Sequence, residues 1–126
     1  MDMSTYLWIG MAGFLGANVR YVVGLWITAQ WGTTFPYATL AINVSGSFLL
    51  CFLVTVWGQG TAWPPAMRLA LTVGFLGAYT TFSTLSYECL LLLQQGSMWG
   101  SLAYMLASVL GGVLAGGVGL LVGQRL

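Results

Sequence analysis

Ionisable side chains, the usual agents of protein chemistry, are scarce in this 126-residue chain. Three basic and two acidic residues occur, and there is no His; the charged positions are Asp2, Arg20, Arg68, Glu88 and Arg125. Catalytic triads, paired acidic catalysts and His- or Cys-rich metal sites each need several such groups close together. Isolated arginines also cannot form the basic patch that binds nucleic acid. We therefore expect neither an enzyme nor a nucleic-acid-binding protein.

Two of the charged residues, Arg20 and Glu88, lie inside long apolar stretches of sequence. A charge within a membrane span is costly, so each is a candidate functional residue. Two structural alternatives remain open at this stage. The side chains pair with one another, or their charged ends reach towards a membrane interface.

Uncharged polar side chains recur every four residues, which places them along one side of a helix. One such set is Thr39, Asn43, Ser47, Cys51 and Thr55, and a second is Tyr104, Ser108, Gly112 and Gly116. With Ser83 and Thr84 they offer amide and hydroxyl donors without a cation, which suits the binding and release of a small anion. Hydrogen bonding and close packing between helices explain the same spacing equally well.

The elements that must position these residues are membrane spans. Hydrophobic residues make up 59% of the chain and charged residues 4%, whereas a soluble domain carries about 25% charged residues. Apolar stretches cover residues 6–29, 36–57, 65–93 and 98–122, and each meets the requirement of about 20 residues for a membrane-spanning helix. The sequence predicts an all-α integral membrane protein, in which residues 1–126 form a single domain of four transmembrane helices.

The third stretch is too long for one straight span, because about 29 residues of helix extend over roughly 43 Å, against about 30 Å of hydrocarbon. Its centre combines Gly74 and Gly77 with a run of hydroxyl residues that can bond freed backbone groups. We predict a mid-membrane break between Gly77 and Thr81, which would mark a functional site. A glycine-rich packing face on a tilted, unbroken helix is the alternative.

The distribution of arginines gives little preference for one orientation in the membrane. With four spans, Arg68 and Arg125 share one side and Arg20 lies nearer the other. A difference of about one positive charge hardly specifies which side faces the cytoplasm. Both insertions are therefore possible, which allows an antiparallel dimer.

Three segments carry a family resemblance: residues 13–21 read GFLGANVRY, residues 36–43 read PYATLAIN and residues 74–84 read GFLGAYTTFST. Together they resemble the Fluc (CrcB) fluoride channels over all four predicted helices. The resemblance implies a fluoride-selective channel that passively exports fluoride across the bacterial plasma (inner) membrane. It also implies an antiparallel, dual-topology homodimer with two anion pores and one central structural sodium ion.

The resemblance also implies roles for individual residues. Asn43, Phe82, Tyr104 and Ser108 match the anion pathway, so that with the neighbouring positions the predicted pathway is Asn43, Phe82, Ser83, Thr84, Leu85, Tyr104 and Ser108. Arg20 matches an arginine near a pore mouth, and Thr39 and Glu88 are structural or pathway residues. Gly77 and Thr80 would offer backbone carbonyls to the sodium ion.

This chain departs from the family pattern at two positions. Leu85 stands where the family usually has a second Phe, and Gly112 stands where a serine often extends the polar track. The edge of a phenyl ring is electropositive and can face an anion, whereas Leu has no comparable quadrupole. The second fluoride position of the family therefore lacks its ring edge here.

Three alternatives from other classes compete with the channel. A small multidrug-resistance exporter also has four short spans and inserts both ways, but it uses a carboxylate in its first helix, where this chain has Arg20. A potassium channel filter begins like residues 72–75, TVGF, but Leu76 then interrupts the filter spacing. A purely structural membrane subunit is the third alternative.

Overall fold

The structure is a computed structural model that describes residues 2–60 and 62–126. Every secondary-structure element of these residues is a helix, and short loops join the helices. In chain order the elements are α1 (Met3–Trp31), α2 (Tyr37–Gly58), α3 (Pro65–Leu69), a π-helix (Ala70–Leu76), α4 (Gly77–Tyr79), α5 (Phe82–Gln94) and α6 (Met98–Gly123). Gly32 after α1 and Gly96 after α5 have φ angles of 78° and 79°, a backbone conformation that glycine adopts without strain and that ends a helix.

Three helical stretches among the described residues are long and apolar enough to cross a membrane. They are Tyr37–Gly58, Pro65–Gln94 and Met98–Gly123, which correspond to the second, third and fourth predicted spans. Helix α1 is 29 residues long but does not meet the same criterion of apolarity, since Asn18, Arg20 and Gln30 interrupt it. The first predicted span is thus confirmed as a helix, and its position across a membrane stays a prediction.

Helices α2 and α6 pack closely through glycines on α6. A Cβ atom added to Gly119 would overlap the Phe48 carbonyl, and one added to Gly116 would lie 3.0 Å from the Cys51 sulfur. At one end of this contact, Gln59 Nε2 donates to the Gly123 carbonyl at 2.8 Å. The interpretation of these glycines as small residues that allow close helix packing is confirmed.

Helix α1 meets the π-helix with similarly close backbone contact. A Cβ atom added to Gly16 would overlap the Phe75 carbonyl, and one added to Gly74 would lie 2.6 Å from the Ile9 carbonyl oxygen. The π-helix itself was not predicted from the sequence. Such segments are rare and frequently occur at functional sites, and this one leads directly into the broken part of the third stretch.

The third stretch is interrupted where the sequence predicts a break. Helix α4 ends at Tyr79, Thr80 and Thr81 are extended with ψ angles of 156° and 118°, and α5 begins at Phe82. The alternative of an unbroken helix is therefore wrong. Gly46 of α2 makes room for this segment, because a Cβ atom there would overlap the Thr80 methyl group.

The contact between α1 and the π-helix predicts different effects for two glycines of α1. Gly16→Ala should destabilise the protein by about 1–3 kcal/mol, because the new methyl group has no space beside Phe75. Gly10→Ala is the matched control, since no atom lies within 4 Å of the added Cβ. Thermal unfolding in detergent measures both; equal melting temperatures for the two variants would contradict the packing described here.

Candidate functional site

A cavity of about 360 Å³ adjoins the interruption of the third stretch. We call it the break cavity; α2, the π-helix, α4, α5 and α6 all contribute to its wall. The structure brings six of the residues predicted from the sequence to this one cavity: Asn43, Gly77, Thr80, Phe82, Leu85 and Ser108. The predicted anion and sodium residues are thus neighbours in space.

The Asn43 side chain bonds to the backbone of the break rather than only facing the cavity. Its Nδ2 donates to the Thr81 carbonyl at 3.0 Å, and its Oδ1 accepts from the Thr81 N–H at 2.8 Å. Both polar groups of one extended residue therefore receive a partner from α2. Sequence reasoning missed this contact, because a spacing along α2 does not show which distant backbone group the side chain will reach.

The hydroxyl residues at the start of α5 form a helix cap. Thr81 Oγ1 accepts from the Thr84 N–H at 3.3 Å and donates to Thr84 Oγ1 at 3.0 Å, and it lies 3.3 Å from Ser83 Oγ. Ser83 and Thr84 are outside the lining of the break cavity, whereas Thr81 and Phe82 belong to it. Thr81 is the N-cap of α5, and because Thr is favoured at this position the cap is readable in the sequence.

Glu88 is bonded to two hydroxyl groups on neighbouring helices. Tyr104 donates to Oε2 at 2.6 Å, and Thr39 Oγ1 donates to Oε1 at 2.9 Å. Within one chain Arg20 and Glu88 are therefore not paired, contrary to one of the two structural alternatives. Arg20 is half-buried on α1 and takes part in none of the hydrogen bonds or ion pairs found among residues 2–60 and 62–126.

A second, smaller cavity of about 170 Å³ lies beneath the loop of residues 32–36 and includes Glu88 in its lining. We call it the loop cavity. Tyr104, which has no exposed surface, bonds to Glu88 of the loop cavity and is one helical turn from Ser108 of the break cavity. Leu85 packs against the buried cluster that contains Tyr104. Polar groups thus lead from the loop to the break, with a buried aromatic ring between them.

Ser108 is the one serine of this site without a partner among the described residues. Its Oγ is buried and makes no hydrogen bond, although the residue lines the break cavity. An unpaired buried hydroxyl typically costs about 1–3 kcal/mol. Ser101, two turns earlier on α6, shows the ordinary arrangement, since its hydroxyl donates to the Cys89 carbonyl at 2.9 Å.

The two positions of the expected phenyl pair differ in this chain. The Phe82 side chain is 79% exposed, so its ring projects from the surface of the chain. Leu85 is half-buried and faces the same cavity. A single ring edge is therefore available where the family resemblance implies two.

Sequence comparison identifies the family of this chain. A family model described as "CrcB-like protein, Camphor Resistance (CrcB)" matches residues 7–120. The chain belongs to the CrcB-like family. The match includes the break and both cavities. Membership of this family excludes the exporter and the potassium channel, two of the alternatives that the sequence left open. With its three long apolar helices, this CrcB-like chain is a multi-pass membrane protein.

Curated relatives of this CrcB-like chain carry the name of a fluoride channel. The fluoride-specific ion channel FluC of Acidobacterium capsulatum is 48% identical over 121 residues, which cover 96% of this chain and 97% of the relative. FluC 2 of Geobacillus kaustophilus is 47% identical over 114 residues, with 90% and 88% covered. FluC of Citrifermentans bemidjiense is 36% identical over 124 residues, with 98% and 100% covered.

The unpaired Ser108 hydroxyl predicts an unusual response to its removal. Ser108→Ala should leave the free energy of unfolding unchanged or raise it, because a buried unpaired hydroxyl is lost. Ser101→Ala should lower the free energy of unfolding by about 1 kcal/mol, because it removes a satisfied bond on the same helix. Denaturation in detergent compares the two, and a larger loss for Ser108→Ala would show that its hydroxyl has a partner in the folded protein.

Proposed function

We propose that this chain forms a fluoride-selective channel, and is not an enzyme, through which fluoride leaves the cytoplasm passively. The observation that carries the proposal is the 48% identity with a fluoride-specific ion channel over nearly the full length of both chains. The composition of the site supports it. The lining of the break cavity is mainly apolar but includes hydroxyl and amide groups and no charged residue, so an anion finds donors without a cation that would hold it too tightly.

Each polar group along this pathway has a distinct role in the proposal. The Ser108 hydroxyl, which has no partner among residues 2–60 and 62–126, is free to donate to a desolvated fluoride. Asn43 keeps one N–H of its amide beyond the bond to Thr81, because an amide nitrogen carries two donors. The N-terminal turn of α5 borders the break cavity and adds the positive end of a helix dipole.

The other end of the pathway contains a carboxylate that an anion must pass. Tyr104 and Thr39 both donate to Glu88, so the carboxylate accepts hydrogen bonds from two hydroxyl groups and forms no ion pair with Arg20 of the same chain. A fluoride that reaches Tyr104 competes with Glu88 for the same phenolic proton. Arg20, which is not paired with Glu88, is free to act at the pore mouth.

We propose that the channel is an antiparallel homodimer, with α1 as the fourth span of each subunit. Phe82 is 79% exposed, and the break cavity is open on one side, so a second copy would cover the ring and complete the wall. The small difference in arginine number between the two sides allows the two insertions that such a dimer needs. The membrane in question is the bacterial plasma membrane.

A structural sodium ion between the subunits fits the residues at the break. Backbone carbonyl oxygens suit an alkali cation, and the end of α4 supplies carbonyls that no following helical turn satisfies. Gly77 and Thr80 would hold the ion, two carbonyls from each subunit. When bound, the ion would offset the repulsion between carbonyl dipoles that face one another in a low dielectric.

Passive fluoride transport is tested in liposomes with a fluoride electrode. We expect efflux that follows the membrane potential, stops when an imposed potential opposes it, and exceeds chloride efflux. Ser108→Ala should lower the fluoride rate at least about tenfold, because it removes a hydrogen bond to a charged ligand. Ser101→Ala serves as the control for folding. Uphill fluoride transport driven by a proton gradient would show an exporter instead.

Leu85 provides a test of whether ring edges assist the anion. We expect Leu85→Phe to raise the fluoride rate about two- to tenfold, because a ring edge that stabilises the anion at the barrier as much as it stabilises a second ring contributes about 0.5–1.5 kcal/mol. Phe82→Leu should nearly abolish transport, since it removes the remaining ring edge. Leu90→Phe, on the exposed face of α5, controls for a ring added elsewhere. An unchanged or lower rate in Leu85→Phe, with the dimer intact, would contradict an electrostatic role for the rings.

A further inference from the structure

The hydrogen bond between Asn43 and the Thr81 amide leaves a neighbouring backbone carbonyl without its helical donor. In a continuous α-helix the N–H of residue 81 would bond to the carbonyl of residue 77, four positions earlier. Here the Thr81 N–H donates to Asn43 Oδ1 at 2.8 Å. The preceding amide, that of Thr80, still follows the helical pattern and bonds to the Leu76 carbonyl at 3.0 Å. The Gly77 carbonyl is therefore the first to be deprived of its helical amide.

The same hydrogen bond also orients a second carbonyl. The Thr80 C=O and the Thr81 N–H belong to one planar peptide group, and none of the described peptide bonds is cis. In a trans peptide these two groups point in opposite directions. Because the N–H points at Asn43 on α2, the Thr80 carbonyl points away from Asn43. Asn43 Nδ2 meanwhile holds the next carbonyl, that of Thr81, on its own side.

The position of Asn43 is itself fixed by its helix. Asn43 lies in the first half of α2, where the Ser47 hydroxyl donates to its backbone carbonyl at 2.8 Å. One turn away, Gly46 lets the Thr80 methyl group lie directly against the α2 backbone. The extended segment therefore contacts α2 through one methyl group and two amide hydrogen bonds, all within a single turn.

We infer that Asn43 is the positioning residue of the central cation site: by taking the Thr81 amide it frees the Gly77 carbonyl and aims the Thr80 carbonyl. This inference rests on the proposed sodium site and adds the side chain that creates it. The same amide lines the cavity proposed for the anion. Replacing Asn43 should therefore weaken cation binding, whereas replacing a residue that binds only the anion should not.

The test compares how sodium affects dimer dissociation when the full-length protein is diluted in detergent. For the wild-type protein we expect at least about tenfold tighter association in sodium than in N-methyl-D-glucamine. Asn43→Leu, which has a similar shape and no hydrogen-bonding groups, should lose that difference, and the smaller Asn43→Ser should lose most of it. Thr55→Val, which removes only a bond within α2, should keep it.

A second measurement requires no variant that might fail to fold. Carbonyl-¹³C and amide-¹⁵N labelling of Thr selects Thr-Thr pairs, which occur only at residues 33–34 and 80–81. We expect the Thr81 amide to exchange with solvent at least about a hundredfold more slowly than the amide of Thr34, which lies in an exposed loop.

The possible outcomes separate this inference from the proposal on which it rests. Equal sodium dependence in the wild type and both Asn43 variants would overturn the role of Asn43 and leave the sodium site standing. A wild-type dimer that is indifferent to sodium would overturn the sodium site and this inference together. Rapid exchange of the Thr81 amide would overturn the inference even if every variant behaved as expected.

Discussion

Backbone hydrogen bonding is the constraint on which this fold depends. A chain in hydrocarbon must satisfy its own amides and carbonyls, and a helix does so automatically. This protein interrupts a helix at Thr80 and Thr81, and other parts of the chain then supply the missing partners. Asn43 bonds to the exposed peptide groups, Thr81 caps the next helix, and Gly46 provides the space for the extended segment.

Two kinds of ligating group meet at the interruption, because Gly77, Thr80 and Ser108 all line the break cavity. Side-chain donors, such as the Ser108 hydroxyl, face the break cavity and suit an anion. Backbone acceptors at the end of α4 suit a cation. A chain with so few charged residues can therefore offer ligands to ions of either charge, with hydrogen-bond donors for an anion and hydrogen-bond acceptors for a cation. Asn43 contributes to both, because a carboxamide contains one group of each kind.

Features that depend on local sequence were predictable, and those that depend on distant contacts were not. The length of the third stretch and its run of hydroxyls predicted the break, and the glycine spacing on α6 predicted close packing. The bonds from Tyr104 and Thr39 to Glu88 join three helices, so spacing along any one helix could not reveal them. The π-helix gave no sequence signal beyond Gly74, because its geometry depends on contact with α1.

The glycine contacts also determine which parts of the molecule can move quickly. At Gly16 and Gly119 neighbouring backbones approach closely without an intervening side chain, so the helices pack against one another through rigid main chain. Rearrangement of packed helices takes microseconds to milliseconds, whereas side-chain rotation takes picoseconds to nanoseconds. In a scaffold packed through backbone contact, the fast motions are rotations of hydroxyls, of the Glu88 carboxylate and of the Phe82 ring. Ion passage through such a scaffold would have a weak temperature dependence, as expected of hopping between fixed sites rather than of a conformational cycle.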